Sequence, residues 1–487
     1  MEKHIISYTT TDGCPVEIKP ADASGTASIP DVYLKGVDNQ EARPLVAFGA
    51  DVVSNTYVDG VGRLVFDAPV TGIADCAFSN CENLKSIVIP SSVVEIGAEA
   101  FNSCANLLEV TLCEGLVEIC RRAFDGCKAL QSIEFPKSVL GIAEFAFSNC
   151  RSLLEIHIPE DVELDYGVFL GCDRLMSVTI SKGVEFCNGN PFLGCKELVE
   201  FKGKYVSEDG RCLIVDGVLT SFAPFGIAAY TLPTGVTSIA RGAFAYCDEL
   251  QHVYIPNSVI SISEIAFEMC SKLETITIPA SVTKIGYEAF NGCNNIEKVF
   301  ISDLKKWFGF DFDACCNSNP MHSGALLMLD GKPVTSIVVP DDITVINSMA
   351  FCGCKSLKCI FVSKSVNSIQ DGAFMRCKSL EYVVMQEGLH EICYSAFEDC
   401  LMLRTINIPS TVTLIGILAF WNCSKLKDIY CRAIVPPNGG WGMFDDNAFE
   451  RFIFVPEESV EEYKKNIAWS FYASRIIGYD FNRIQDA

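Results

Sequence analysis

The sequence predicts an α/β repeat fold, a curved right-handed solenoid with one short parallel strand in every repeat of about 23 residues. Two observations lead to this prediction. A Phe recurs thirteen times, mostly at intervals of 23 residues, and a Cys follows each Phe after three residues. A short stretch of alternating Ile or Val, such as residues 84–90, then follows. Because one such unit cannot bury its apolar side alone, neighbouring units are expected to stack into one continuous core.

The recurring Phe and Cys form two columns, which we predict to be the buried ladder of that core. An unmodified Cys behaves as a small apolar residue with a weak S–H donor, and a uniform stack seldom supplies the torsions of a disulfide. The thiols are therefore expected to be reduced. The ladder includes Phe78, Cys81, Phe101, Cys104, Phe124, Cys127, Phe147, Cys150, Phe267, Cys270, Phe374, Cys377, Phe397, Cys400, Phe420 and Cys423.

Each unit follows the pattern A-F-x-x-C-x-x-L-x-x-I-x-I-P-x-x-V-x-x-I, in which Leu-x-x-Ile-x-Ile matches the strand signature of leucine-rich repeats. Over residues 66–431 the pattern resembles the BspA-like leucine-rich repeat family of bacterial surface and secreted proteins. The resemblance implies a leucine-rich repeat solenoid that serves in binding, adhesion or antigenic display. It names no particular ligand.

Three segments follow from where this pattern begins and ends. Residues 1–65 read as a β-rich N-terminal cap, residues 66–431 as the solenoid of about 13 regular units, and residues 432–487 as an α/β C-terminal cap. Irregular inserts are predicted near 202–228 and 302–334. Inserts in solenoids often lie on the binding face, and the alternative is that they only close over the core.

Local signals give each irregular segment an expected structure. In the first insert, Asp-Gly turns predict a hairpin carried by a degenerate repeat. In the second, the segment from Leu304 to Phe312 resembles the short helix and excursion that BspA-like arrays insert between regular units, and a turn is expected at Asp330-Gly331. The C-terminal cap should hold a strand around Phe452 and a helix from Glu458 to Asn466.

Charge and motifs exclude several classes of function. The net charge of −23 has the wrong sign for attraction to phosphates, so no nucleic-acid partner is expected. The chain holds no apolar stretch long enough for membrane insertion. Histidine pairs, zinc-site cysteine pairs and glycine-rich phosphate loops are also missing, so we predict no catalytic residue, no metal and no cofactor. An enzyme would need a His and a Cys brought together by the inserts at Cys212 or Cys315.

The N-terminal residues 1–13 lack the apolar core of a secretory signal, which favours a cytoplasmic protein. The family resemblance instead suggests the cell surface or secretion, if a leader has been removed. We expect a monomer.

Outward-facing strand positions should carry any binding site, because residues that flank a buried Ile or Val alternate onto the concave face of a solenoid. These positions are polar in the early units and become aromatic later. We predict a recognition surface at Tyr254, Phe300, Phe361, Tyr382 and Tyr430. The alternative is that β-propensity alone places aromatic residues there.

The function predicted from the sequence is therefore non-catalytic binding of a protein or a glycan, in adhesion or another host or cell-surface interaction. The alternative is a structural or antigenic display spacer without a specific ligand.

Overall fold

The computed structural model describes residues 5–11, 14–16, 47–313 and 315–481. The chain divides into two compact units. The first holds Met1–Gly226 with Ala240–Tyr246, and the second holds Ile227–Ile239 with Cys247–Ala487. Each unit is a solenoid of parallel strands repeated about every 23 residues, with little helix, so the predicted fold class is confirmed.

The described part of the N-terminal cap consists of three antiparallel strands, Ile5–Thr10, Val52–Val58 and Val61–Phe66. Strand Ile5–Thr10 also pairs antiparallel with the first repeat strand, Leu84–Val88, and so covers the edge of the parallel sheet. Residues 17–46 of the predicted cap lie outside the described residues.

Most repeats contribute a longer strand to one sheet and a two-residue strand to a second sheet. The longer strands of the first unit are Leu84–Val88, Glu109–Thr111, Glu155–Ile158, Ser177–Ile180 and Glu200–Gly203. Its short strands are Gly72–Ile73, Glu95–Ile96, Glu118–Ile119, Gly141–Ile142, Glu163–Leu164 and Glu185–Phe186.

The second unit repeats this arrangement. Its longer strands are Ala229–Thr231, His252–Tyr254, Thr275–Ile278, Lys298–Ile301, Leu326–Leu329, Ser336–Val338, Cys359–Val362, Tyr382–Met385, Thr405–Ile408, Asp428–Cys431, Phe452–Pro456 and Ile476–Tyr479. Its short strands are Ser238–Ile239, Ser261–Ile262, Lys284–Ile285, Asp311–Phe312, Val345–Ile346, Ser368–Ile369, Glu391–Ile392, Leu414–Ile415 and Asn438–Gly439.

The ladder phenylalanines stack on one another in the core of each unit. The ring centroids of Phe78 and Phe101 are 5.0 Å apart with an interplanar angle of 2°, and those of Phe397 and Phe420 are 5.1 Å apart at 1°. The stack continues to Phe444, 5.5 Å from Phe420, so one further turn follows residue 431. All of these rings are fully buried.

Most ladder cysteines are thiols that donate to the backbone carbonyl of the ladder Phe one turn earlier. In the first unit, the Sγ of Cys127 lies 3.2 Å from the carbonyl oxygen of Phe101, and that of Cys150 lies 3.3 Å from Phe124. Burial raises the pKa of both thiols well above the usual value, so they keep the proton that they donate. The same bond is made by Cys104, Cys172, Cys195, Cys293, Cys377, Cys400 and Cys423.

Both inserts contain the predicted local structures. Strands Cys212–Val215 and Val218–Phe222 form an antiparallel hairpin, and Leu326–Leu329 pairs antiparallel with Lys332–Pro333. The turn residues Asp330 and Gly331 have φ of 49° and 74°, as a type I′ hairpin turn requires. The short helix of the second insert is Leu304–Trp307.

A buried Asn-Pro pair lies before the first insert, at Asn190, and within the second, at Asn319. The Nδ2 of Asn190 donates to the carbonyl oxygen of Gly242 at 2.9 Å, and that of Asn319 donates to the carbonyl oxygen of Met349 at 2.7 Å. Both asparagines are almost completely buried. Each amide therefore joins its own turn to the residues that lead into a later ladder Phe, Phe244 or Phe351.

The C-terminal cap follows strand Phe452–Pro456 with a 3₁₀ turn, Glu457–Ser459, and helix Val460–Lys465, which lies within the predicted helix. A second 3₁₀ segment, Ser470–Arg475, leads to the last strand, Ile476–Tyr479, which the sequence analysis does not predict. The remaining described 3₁₀ turn is Cys316–Ser318, in the second insert.

Candidate binding surface

The five predicted surface residues all lie on outward positions of strands in the second unit. Tyr254 is 53% exposed, Phe361 43% and Tyr382 62%, whereas Phe300 and Tyr430 are half-buried. They fall on three separate sheets. The hairpin at Lys332–Pro333 ends the sheet that carries Tyr254 and Phe300, and a second break, between Tyr382–Met385 and Thr405–Ile408, separates Phe361 and Tyr382 from Tyr430. The structure thus brings Phe361 and Tyr382 together on adjacent strands and leaves Tyr254 and Phe300 on another sheet.

Phe361 belongs to a line of apolar side chains that crosses successive strands. The strand register places Phe361 between Val338 and Val384. Further along the chain, the register aligns Tyr430, Phe454 and Ile477 on three successive strands. Asn407 occupies the intervening position next to Tyr430, on a strand that neighbours Tyr382–Met385. We call this line the apolar column, consisting of Val338, Phe361, Val384, Tyr430, Phe454 and Ile477.

The apolar column is accessible to a partner along much of its length. Val338 is 71% exposed, and the exposed fractions of Val384 and Ile477, 43% and 41%, are close to that of Phe361. At the C-terminal end the rings of Tyr430 and Phe454 stack with centroids 4.7 Å apart. Tyr479 packs edge-on against both rings, which leaves them half-buried. Exposed apolar side chains on neighbouring strands, here interrupted by Asn407, are characteristic of interaction sites.

Val338, Val384, Phe454 and Ile477 are not among the predicted surface residues. The prediction is restricted to aromatic residues of the regular repeats, although Val338 and Val384 occupy the same repeat position as Phe361. Phe454 lies on the strand predicted around Phe452, but the repeat pattern that assigns outward positions is lost in the C-terminal cap, so neither Phe454 nor Ile477 is assigned to the surface.

Exposed cations line the beginning of the strands that carry the apolar column. Lys358, Arg404 and Lys427 each follow the buried Leu of their repeat, and backbone bonds join this position in successive turns, as from Lys427 N–H to Arg404 C=O at 2.9 Å. Lysines also occur just before that Leu. We call the set the basic rim, consisting of Lys355, Lys358, Lys378, Arg404, Lys425 and Lys427, all exposed.

The basic rim differs from the first unit mainly at the position after the buried Leu. That position is mostly uncharged in the first unit, as at Leu108, Leu154 and Met176, whereas cations before the Leu occur in both units. Glu381 is the one acid at the Leu-following position of the rim, and it is half-buried. Lys427 forms an exposed ion pair with Glu450 at 3.7 Å, a contact that water and salt weaken. The rim therefore remains available to an anionic partner.

The groups that could support other chemistry are weaker candidates. Glu95, Glu118 and Cys120 each place one possible metal-ligand atom within 4.8 Å of the others. The Cys120 thiol donates a hydrogen bond to Glu95 Oε1 at 3.1 Å. The strand register explains this cluster, because it sets Glu95 directly opposite Glu118. A second feature, a cavity of about 480 Å³ bordered by Val412 and Ile434, has no ionisable side chain in its lining.

The insert cysteines named in the enzyme hypothesis have poor properties for catalysis. Cys212 is fully buried. Burial raises the pKa of the Cys315 thiol, which lowers the population of the nucleophilic thiolate. Burial also lowers the pKa of His322, whose Nδ1 lies 3.1 Å from the carbonyl oxygen of Asn319.

The chain is similar in fold to several solved bacterial leucine-rich repeat proteins. A protein from Eubacterium ventriosum has 20% identity and a TM-score of 0.49, with 72% of this chain and 88% of that chain covered. One from Bacteroides ovatus has 23% identity and a TM-score of 0.44, covering 90% and 91%. A leucine-rich cell surface protein from Faecalibacterium prausnitzii has 26% identity and a TM-score of 0.39, covering 68% and 85%.

No curated protein matches the chain. Within the described parts of the chain, no helix has the length and apolar character needed to cross a membrane.

Sequence comparison with protein families gives a clear assignment. The profile described as BspA type leucine-rich repeat region matches residues 71–199, 220–320 and 329–436, in six copies. These ranges cover well over half of the chain and agree with the turns seen in both units. The chain therefore belongs to the BspA-type leucine-rich repeat family.

Proposed function

We propose that this protein is a non-catalytic binding protein and that its binding face is the apolar column together with Tyr382. The observation that carries the proposal is the exposure of apolar side chains at matching positions of successive strands, since isolated exposed residues would need no explanation. A repeat scaffold is suited to this role because stacked strands present a long surface on a rigid core.

A protein partner fits this face better than a glycan does. Val338, Val384 and Ile477 offer no hydrogen bonds, whereas a sugar needs polar groups placed around its hydroxyls. Protein interface cores are instead enriched in aromatic side chains and depleted of charge, as the apolar column is.

The test uses the full chain as bait in affinity capture from cell extract, comparing the wild type with Phe361→Ser/Tyr382→Ser. We expect the double variant to lose the specifically captured protein, because hot-spot residues are large and central in an interface. The matched control is Tyr394→Ser/Ile417→Ser, which removes two apolar side chains of similar exposure, 48% and 46%, away from the binding face. Capture that is undiminished by Phe361→Ser/Tyr382→Ser would refute the proposal and favour a display spacer.

A further inference from the structure

We propose that the binding face takes an acidic amphipathic α-helix of a partner protein, with its apolar side on the apolar column and its acidic side on the basic rim. This inference rests on the proposed function and adds the chemistry of the partner. It follows from the spacing of the column, from the distance between column and rim, and from the sign of the charges at the rim.

The spacing of the apolar column matches the repeat of a helix. Neighbouring strands lie about 4.8 Å apart, and one helical turn rises about 5.4 Å, so a helix lying across the strands places about one apolar side chain on each strand. From Val338 to Ile477 the column crosses seven strands, which corresponds to about 29 Å or a helix of about 19 residues. The accumulated mismatch is smaller than one helical turn.

An extended peptide fits the same column less well. Side chains that share one face of an extended segment recur about every 6.6–6.8 Å, so successive ones fall out of step with strands about 4.8 Å apart. A helix supplies apolar residues at i, i+3, i+4 and i+7, the pattern with which helices occupy apolar grooves.

The basic rim lies at the distance that the flank of such a helix would reach. Lys358 precedes Phe361 by three residues, and Lys427 precedes Tyr430 by three. Three residues of a strand span about 10 Å, and a helix centred on the column extends about 5–6 Å to each side, so the remaining gap of about 4–5 Å is within reach of the long rim side chains. Acidic residues on one flank of the bound helix would therefore face the rim.

The positive charge of the basic rim favours a negatively charged flank on the bound helix. The whole chain carries −23, so an acidic ligand is repelled by most of the molecule and needs a local positive region. The basic rim supplies six exposed cations in the four successive turns from that of Phe361 to that of Tyr430. Complementary charges of this kind determine partner choice and orientation more than total affinity.

The experiment measures binding of two designed peptides to the full chain by fluorescence anisotropy. Each peptide has about 19 residues with Leu along one helical side, and the adjoining flank carries Glu in one peptide and Lys in the other. We expect the Glu peptide to bind at least about tenfold more tightly, and to weaken as the salt concentration rises.

Charge-reversal variants locate the effect on the chain. Lys358→Glu/Arg404→Glu/Lys427→Glu should weaken the Glu peptide by about tenfold or more and strengthen the Lys peptide. The control Lys128→Glu/Lys137→Glu/Arg151→Glu reverses three exposed cations of the first unit, with the same change in net charge. It should leave the preference for the Glu peptide unchanged.

Three results would overturn the inference: equal binding of the two peptides, binding of neither, or displacement of the Glu peptide by polyglutamate at an equal concentration of carboxylates. The last would mean that charge alone drives binding. The outcomes separate this inference from the proposed function. If Phe361→Ser/Tyr382→Ser abolishes capture of the natural partner but reversal of the basic rim does not, the proposed function stands and the acidic helix is excluded.

Discussion

At the scale of single residues, the cysteine ladder is a hydrogen-bonding device as well as a packing one. The carbonyl oxygen of Phe101 accepts from the backbone N–H of Cys104 within its own turn and from the thiol of Cys127 in the next, both at 3.2 Å. A buried carbonyl has two lone pairs to satisfy, and Ala or Val at the Cys position would leave one of them empty. This explains why a small apolar residue with a donor occupies the column.

We predict that Cys127→Ala lowers the free energy of unfolding by about 2 kcal/mol, through a small cavity and a lost hydrogen bond. Cys127→Ser keeps a donor and should cost less. Urea denaturation of the two variants measures the difference, with Cys14→Ala, at an exposed site, as the control. A Cys127→Ala protein as stable as the wild type would contradict both contributions, and a Cys127→Ser protein as unstable as Cys127→Ala would contradict the hydrogen-bonding role.

A second residue-scale effect concerns the position before each ladder Cys, which adopts a positive φ. Gly292 and Asn149 occupy it with φ of 76° and 57°, and both residue types tolerate that region. Met269 also occupies it, with φ of 57°. This left-handed backbone conformation is unfavourable for Met, and the 41% exposed side chain gains little from burial to offset it.

We expect Met269→Asn to raise the free energy of unfolding by about 0.5–1 kcal/mol, because Asn adopts the left-handed region more readily. The matched control is Met176→Asn, which changes a Met of similar exposure, 47%, at a position without positive φ. Thermal unfolding of both variants gives the comparison. Equal shifts in the two proteins would contradict the backbone explanation.

At the scale of elements, the two inserts share one solution to the loss of regular stacking. The Oδ1 of Asn190 accepts from Phe192 N–H at 2.8 Å and from Ser221 Oγ at 2.6 Å, while its Nδ2 reaches Gly242. In the second insert, Asn319 Oδ1 accepts from the N–H of Met321 at 2.8 Å. One buried amide thus replaces the ladder bonds that the irregular chain cannot make.

Asn319→Ala is predicted to destabilise the second insert by about 3 kcal/mol, because it leaves several buried backbone groups without partners. Hydrogen exchange should increase first at Met321 and around Met349, which contact this side chain. The exposed Asn106, with one bond to Glu82, provides the control Asn106→Ala, for which we expect a change under about 1 kcal/mol. Unchanged exchange in Asn319→Ala would exclude a bridging role.

The regular turns could be predicted from the sequence because stacking imposes one period on every buried position. The bridging role of Asn190 could not, since its partner Gly242 lies 52 residues away and only the folded chain brings them together. The turn at Phe444 was also missed. Asn447 stands there in place of a ladder Cys, and its Oδ1 accepts from the N–H of Cys423 at 2.9 Å.

The candidate surface shows the same limit. Repeat position alone indicates that Phe361 and Tyr382 face outward, and their exposure agrees. Which outward residues form one surface depends on which strands remain neighbours. The hairpin after Leu329 interrupts that order, whereas Tyr382–Met385 and Thr405–Ile408 stay adjacent although they belong to different sheets. Sequence spacing gives no measure of such a break.

At the scale of the whole molecule, the ladder makes stability depend on pH in a way that one thiol could not. Burial raises the pKa of many ladder thiols, including Cys150, Cys172, Cys377 and Cys400. In the unfolded chain the same thiols ionise near pH 8.5, as exposed cysteines do. Above that pH the unfolded state loses protons that the folded state keeps.

Stability should therefore be fully present below about pH 8 and fall as the pH rises toward 10, by about 1.4 kcal/mol per pH unit for each thiol that ionises only on unfolding. Urea midpoints measured across this range test the expectation. Tyrosine ionisation and growing negative charge act in the same direction, so the slope alone does not identify the thiols. The variant Cys127→Ala/Cys150→Ala removes two ladder thiols, and its midpoint should fall less steeply with pH than that of the wild type. Parallel slopes in the two proteins would assign the alkaline loss of stability to other groups.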